Sequence, residues 1–431
     1  MVYVLYDLLL CLSAVVLVPY YILRGMRYGK TRRGIRERLG LFKSDQLKML
    51  VSRRVIWIHA VSVGETRAAI PLVKSLRKKY PDVALVLSNV TETGRAIAKD
   101  ISEIDLCIFA PFDLSWSVRR AIGQLQPSLV LIVETELWPN FLKQLHQRHI
   151  PVLLVNGRFS DRSFPRYLMA RRIFRPLLRM VTAFCMQSDQ DARRARRIGA
   201  PPGRVHVTGN LKFDITAKVP DDAERRRLRA VLNLPADVPV WVAGSTHAGE
   251  EEIVARICRE LAVADVPQLL ILVPRHPERA RSVGEMLASQ GLSWVLRSEI
   301  DRRHEPLRNG EVLLVDSIGE MLDFYAVANL VFVGGSLVPV GGHNILEASL
   351  LSKPVLFGPH MHNFKEISAL VLAAGGGCQV ADEAELKLQI RQLLRDPVRC
   401  REMGNNGHTL LAGHAGATVR TLSVIEGIWG E

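Results

Sequence analysis

Glu65 stands where an apolar run meets a helix-forming segment. Residues 55–69 read VIWIHAVSVGETRAA, so a strand ends in Ser62-Val63-Gly64-Glu65 and passes straight into a helix. Open α/β sheets keep their chemistry at the carboxyl ends of strands. Ser62 and Glu65 also have the S-x-x-E spacing of a capping box, which closes a helix N-terminus without doing chemistry. Two further segments of this half carry charge at a strand end. LVLIVETELWPN leaves Glu134 and Glu136 after a strand, where extended chain points them to opposite faces, so they are not expected to work as one carboxylate pair. VTGNLKFD supplies Lys212, and a lysine facing a glutamate can hold a substrate carboxylate or developing negative charge.

The second half carries a glycine-rich segment, VFVGGSLVPVGGHNILEAS at 331–349. Glycines let backbone N–H groups approach an anion, and Asn344 is placed to cap a helix whose start favours negative charge. The segment is neither a P-loop nor a G-x-G-x-x-G fingerprint. Glu347, three residues after Asn344, is either the cap partner or an acceptor for ribose hydroxyls. Pro274 and Arg275 follow a strand, where a guanidinium can clamp phosphate. Gly319, Glu320 and Met321 form a turn into a helix whose backbone can meet a nucleobase, and Ser245, Thr246 and His247 lie at another strand end as possible phosphate donors. His343, His360 and His362 lack the acidic or thiol ligands that would complete a metal sphere, so no metal site is expected.

These residues need strand ends to hold them, and the chain supplies such strands. Continuous apolar runs at 55–60, 83–88, 129–133, 152–155, 183–186 and 205–208, then at 239–243, 269–273, 312–315, 330–333 and 354–357, alternate with helical segments such as 65–79 and 342–352. Runs without polar alternation indicate parallel strands covered on both faces. The expected architecture is α/β, a doubly wound fold occurring twice, with the divide at 215–238 and a small-molecule cleft between the two domains.

The 431 residues suffice for two cores, and an apolar content of 48% excludes a disordered chain. The net charge of +14 calls for an acidic partner. Its sources are two blocks of the first half: eleven Lys/Arg against two acids over 24–54, and twelve Arg against three Asp over 158–204. No nucleic-acid-binding signature accompanies them, so an anionic membrane surface is the expected partner. Residues 1–23 are almost wholly apolar and reach about 34 Å as a helix, enough to cross a bilayer. They lack the basic start and cleavage site of a signal peptide. Arg24, Arg27, Lys30, Arg32 and Arg33 follow, which predicts a cytoplasmic body. The six cysteines have neither metal nor redox spacing, as in a reduced compartment.

The segments SVGE (62–65), ETELWPN (134–140), GNLKFD (209–214), STHAGEE (245–251), PRHPER (274–279) and GGSLVPVGGHNILEA (334–348) together resemble the Kdo transferases of lipopolysaccharide synthesis. The resemblance runs in order from the N-terminal apolar segment to about residue 380. It implies a GT-B fold of two Rossmann-like domains facing across a cleft, with residues 1–23 as membrane anchor, 24–217 as acceptor domain and 218–431 as donor domain. It implies inverting transfer of 3-deoxy-D-manno-octulosonic acid (Kdo) from CMP-Kdo to the lipid A precursor at the cytoplasmic face of the inner membrane, without a cofactor. By the same resemblance Glu65 matches the catalytic base, and Glu134 and Lys212 match the pair supporting the transition state. Pro274 and Arg275, Gly319 to Met321, and Asn344, Ile345, Leu346 and Glu347 match the CMP-binding stretches. The alternatives are another GT-B glycosyltransferase, a sugar-nucleotide epimerase, or a non-catalytic membrane scaffold with a nucleotide fold.

Overall fold

Every apolar run singled out above forms a parallel strand in the computed structural model, which describes residues 6–8, 10, 12, 34–215 and 219–430. Seven strands lie in the first half: β1 (Val55–His59), β2 (Ala84–Asn89), β3 (Leu106–Phe109), β4 (Leu129–Val133), β5 (Val152–Gly157), β6 (Ala183–Met186) and β7 (Val205–Val207). Their order in the sheet is β3-β2-β1-β4-β5-β6-β7. The second half contributes β8 (Val240–Thr246), β9 (Leu269–Pro274), β10 (Trp294–Leu296), β11 (Val312–Leu314), β12 (Leu330–Val333), β13 (Val355–Phe357) and β14 (Gly377–Gln379), ordered β10-β11-β9-β8-β12-β13-β14. In each sheet the winding reverses once, between β1 and β4 in the first and between β8 and β12 in the second. A doubly wound sheet opens a crevice outside the carboxyl ends of the strands at that reversal.

The apolar runs are continuous because helices cover both faces. All five residues of β1 and of β4 are buried. Each sheet also buries a tryptophan whose indole N–H is satisfied: Trp57 Nε1 donates to Ser88 Oγ of β2 at 2.8 Å, and Trp241 Nε1 to Oε1 of Gln268, just before β9, at 2.6 Å.

The chain divides into two units, Met1–Asp214 with Ala415–Glu431 and Ile215–His414. The expected donor domain of 218–431 therefore loses its last segment to unit 1. The Ala417–Trp429 helix buries Ala417, Ile425 and Trp429 in the core formed with Ile56, Leu72 and Leu131. Asp214 fastens its start, accepting the backbone N–H of Gly416 at 2.7 Å and that of Thr418. Arg54 stacks on Trp429 at its other end, 3.9 Å from the ring centre.

Most of the membrane-anchor expectation for residues 1–23 lies outside the described residues. Within it, Asp7 accepts a hydrogen bond from Asn140 Nδ2 at 2.6 Å, and the Tyr6 hydroxyl donates to Asp113 at 3.1 Å. Among the described residues no helix is long and apolar enough to cross a membrane.

Candidate functional site

In unit 1 the reversal between β1 and β4 brings together three of the acids singled out from the sequence. Glu65 lies in the first turn of the Val63–Lys79 helix and is buried. Ser62 caps that helix, its Oγ accepting from Glu65 N at 3.4 Å and donating to Glu65 Oε1 at 2.9 Å, while Val61 N donates to Oε2 at 2.7 Å. Ser62 is thus the N-cap, but the reciprocal bond of a capping box is not formed, because Glu65 takes the N–H of Val61 rather than that of Ser62. Capping does not exhaust the role of Glu65. Burial pushes the Glu65 carboxyl up to about 7, the Val61 and Ser62 hydrogen bonds oppose the rise, and the negative charges of Glu134 and Glu136 add to it. A carboxyl poised near neutrality suits a general base. Asn89, at the end of β2, holds the loop in place by donating to Ala60 O at 2.7 Å and to Thr66 Oγ1 at 2.8 Å.

The extended chain assumed at Glu134 and Glu136 does not hold. Glu134 sits at φ +60°, a left-handed position for a non-glycine residue, directly after β4. That turn ends the alternation of extended chain, and both carboxylates act electrostatically on Glu65. Glu136 is engaged by Trp138 Nε1 at 2.9 Å, and burial raises its own carboxyl pKa. Lys212 Nζ lies 3.6 Å from Glu134 Oε1. The short turn Leu211–Phe213 that presents Lys212 is capped by Asn210, and Leu211 N donates to Asn156 Oδ1 at 2.9 Å. Glu65, Glu134, Glu136 and Lys212 thus form one charged cluster at the strand ends of unit 1.

In unit 2 the reversal between β8 and β12 gathers the donor-side segments. The organising residue is Glu250, which the sequence reading passed over. It is fully buried and accepts four backbone N–H groups: His247 at 3.0 Å, Gly335 at 2.6 Å, Ser336 at 3.0 Å and Leu337 at 2.9 Å. The glycine-rich loop is therefore shaped around a carboxylate of its own chain. A Cβ at Gly334 would come 2.6 Å from the Ser245 carbonyl oxygen and 2.9 Å from Glu250 Oε2, so only glycine fits. Gly358 closes the loop from β13, donating its N–H to Ser336 Oγ at 2.8 Å. Its missing Cβ would fall 2.3 Å from Ser336 O and 2.6 Å from Leu337 N. Backbone cannot yield there as a side chain would. Gly358→Ala is expected to shift the loop, destabilise unit 2 by about 1–3 kcal/mol and weaken nucleotide binding, as checked by urea unfolding with and without CMP.

The remaining donor-side residues divide by what their side chains have left to offer. Arg275 N donates to Thr246 O at 2.9 Å, which fastens the end of β9 to that of β8. Its guanidinium has no hydrogen-bond partner among the described residues, whereas Arg279 nearby is spent on Glu251 at 2.8 Å. Glu320 is held by Arg297 at 2.9 Å and by Ser317, which leaves the open turn at Gly319 (φ +98°) to offer backbone groups. Ile345 and Leu346 are core side chains, so that stretch too can reach a ligand only through backbone. Asn344 bridges locally, from Leu346 N at 3.2 Å to Glu347 Oε1 at 3.1 Å. The helix expected over 342–352 is reduced to Leu346–Leu350. Its start contributes little dipole, so the anion-binding capacity rests on loop amides and Arg275. Among the described residues no three His, Cys, Asp or Glu side chains are grouped to hold a metal ion.

Residues 33–215 match the family model of 3-deoxy-D-manno-octulosonic-acid transferases. Over 374 residues the chain is 35% identical to the 3-deoxy-D-manno-octulosonic acid transferase of Haemophilus influenzae, with 86% of each chain covered. The chain belongs to the Kdo transferase family. A second relative, the enzyme of the same name from Bordetella pertussis, is 34% identical with 86% of each chain covered. Membership makes this Kdo transferase family protein a glycosyltransferase by class. Among solved structures, the UDP-GlcNAc 2-epimerase of Neisseria meningitidis aligns with 87% of this chain and 100% of its own at a TM-score of 0.56 and 14% identity. That likeness shows that the two share a fold of the GT-B type.

Proposed function

We propose that the protein transfers Kdo from CMP-Kdo to a phosphorylated lipid A precursor (lipid IVA) in a single inverting displacement. The observation that carries this reading is Glu65, a buried carboxyl near neutrality at the sheet reversal of unit 1, within the electrostatic reach of Glu134. Glu65 takes the proton of the acceptor's sugar hydroxyl as that oxygen attacks the anomeric carbon of Kdo. Lys212, paired with Glu134, stabilises negative charge on the reacting sugar. In unit 2, Arg275 and the amides of the Gly319–Met321 and Asn344–Glu347 stretches hold CMP. The leaving group carries one phosphate, so a guanidinium and loop amides suffice to balance its charge.

A lipid acceptor on an anionic surface, at the cytoplasmic face of the inner membrane, is supported by the arginine distribution. Residues 162–188 hold six Arg and no acid. Arg172, Arg175 and Arg179, on the Arg171–Leu178 helix and just beyond it, line an open basin of about 430 Å³ with His146. None of the three guanidinium groups has a hydrogen-bond or ion-pair partner among the described residues. Met169 and Ile173 are exposed beside them. Clustered cations next to apolar side chains suit a phosphate-bearing lipid surface.

The test is incubation with CMP-Kdo and tetraacyl lipid A precursor, with the product mass read out: a gain of one or more Kdo residues is expected, and an unchanged acceptor refutes the reading. Nucleotide choice separates it from a UDP-dependent epimerase. CMP at a hundredfold its Kd should stabilise unit 2 by about 2.7 kcal/mol, a rise in Tm of roughly 5–10 °C, and UDP should not.

A further inference from the structure

His247 and His343 are joined by a hydrogen bond between their two Nε2 atoms at 2.9 Å, with ring planes inclined by only 2°. His247 follows β8 and His343 lies in the loop after β12, so the pair spans the sheet reversal of unit 2. It lies over the glycine turn: a Cβ at Gly335 would stand 3.1 Å from His343 Nε2 and 3.4 Å from His247 Cδ2. An N–H···N bond of this kind requires one ring protonated at Nε2 and the other at Nδ1. With His247 as the donor ring, a further proton can enter at His247 Nδ1 without breaking the bond. Two imidazoles so joined conduct a proton from one outer nitrogen to the other and titrate as a unit. No described residue hydrogen-bonds His247 Nδ1, which leaves that atom for a ligand.

We infer that the His247–His343 pair is a proton relay at the phosphate end of the nucleotide site, taking up a proton as the nucleotide phosphate binds and donating it to the departing phosphate. This rests on the functional reading above. The bond from the anomeric carbon to the phosphate oxygen breaks, and its electron pair stays on that oxygen. The proton on His247 Nδ1 passes to the phosphate. The acceptor oxygen bonds the anomeric carbon, and its proton goes to Glu65. Solvent then reprotonates the pair and takes the proton from Glu65. The surroundings set the direction. Burial holds His247 below its usual range, with Arg275 and His276 acting in the same sense and Glu250 and Glu251 opposing them. His362 flanks the same loop, its Nε2 2.6 Å from where a Gly341 Cβ would be. An arriving phosphate reverses that balance and draws the proton in.

The test is CMP binding to the full chain, followed by calorimetry at pH 7.5 in two buffers of different ionisation heat. Wild type should take up roughly one proton per CMP, and His247→Gln and His343→Gln should each take up close to none. With CMP-Kdo and lipid acceptor, both variants should lose about 10²- to 10⁴-fold in kcat with little change in KM. Wild type binding CMP without proton uptake overturns the relay whether or not the variants fold. Variants that keep the uptake and kcat also overturn it, and leave Kdo transfer standing. A wild type that binds UDP but not CMP overturns the functional reading itself, and the relay with it.

Discussion

Glu65→Gln should be inactive and, above pH 7, more stable than the wild type. The activity loss expected for removing a general base is about 10²- to 10⁴-fold in kcat, measured as Kdo transferred per unit time. The stability gain follows from linkage. A carboxyl whose value rises from 4.5 to about 7 on folding keeps its proton in the native chain at a pH where the unfolded chain has lost it. Stability contributed by the protonated form is complete below 4.5 and falls as pH rises through that window, by about 1.4 kcal/mol per unit. At pH 8 the ionised wild-type group therefore costs about 3 kcal/mol that a glutamine avoids, less whatever the amide forfeits in bonding Val61 and Ser62. Urea midpoints at pH 4.5 and pH 8 check this. Converging curves at low pH and a more stable variant at high pH are expected. A variant equally destabilised at both would mean that Glu65 is only a cap.

Glu250→Ala should damage unit 2 far more than its distance from any reacting atom suggests. Four N–H donors converge on this carboxylate, and removing it leaves them buried without an acceptor. A loss of roughly 3–5 kcal/mol is expected in the unfolding of unit 2, together with loss of CMP binding as the 334–337 loop opens. Glu250→Gln offers no rescue, because its amide places a donor against donors. A destabilisation below about 1 kcal/mol with CMP affinity intact would show that the loop holds its shape by itself.

These two residues also show where the sequence was legible and where it was not. Glu65 could be read because an apolar run, a turn and a helix start are local signals. Glu250 could not, because three of its four partners lie 85–87 residues away and nothing in EEEIVARI distinguishes a buried carboxylate from a helix-start acid. The strands divide in the same way. The central ones announce themselves as unbroken apolar runs because both faces are covered. The three that the sequence reading missed, β3, β10 and β14, are all sheet edges. Edge strands can be short and half-buried: β10 is Trp-Val-Leu with no residue fully buried, and β14 is Gly-Cys-Gln. The left-handed turn at Glu134 was likewise invisible, since nothing in a run of VETELW demands positive φ. Nor does the amphipathic pattern of the Ala417–Trp429 helix say which sheet it covers. Its assignment to unit 1 depends on tertiary contacts with Asp214, Arg54 and the core around Ile56.

The pH dependence of kcat/KM for Kdo transfer from CMP-Kdo to lipid A precursor addresses the proposed role of Glu65 most directly. With Glu65 as the base, the rate should fall tenfold per pH unit below about 7 and level off above it until another group titrates. A rate that stays flat from pH 5 to pH 8 would contradict it.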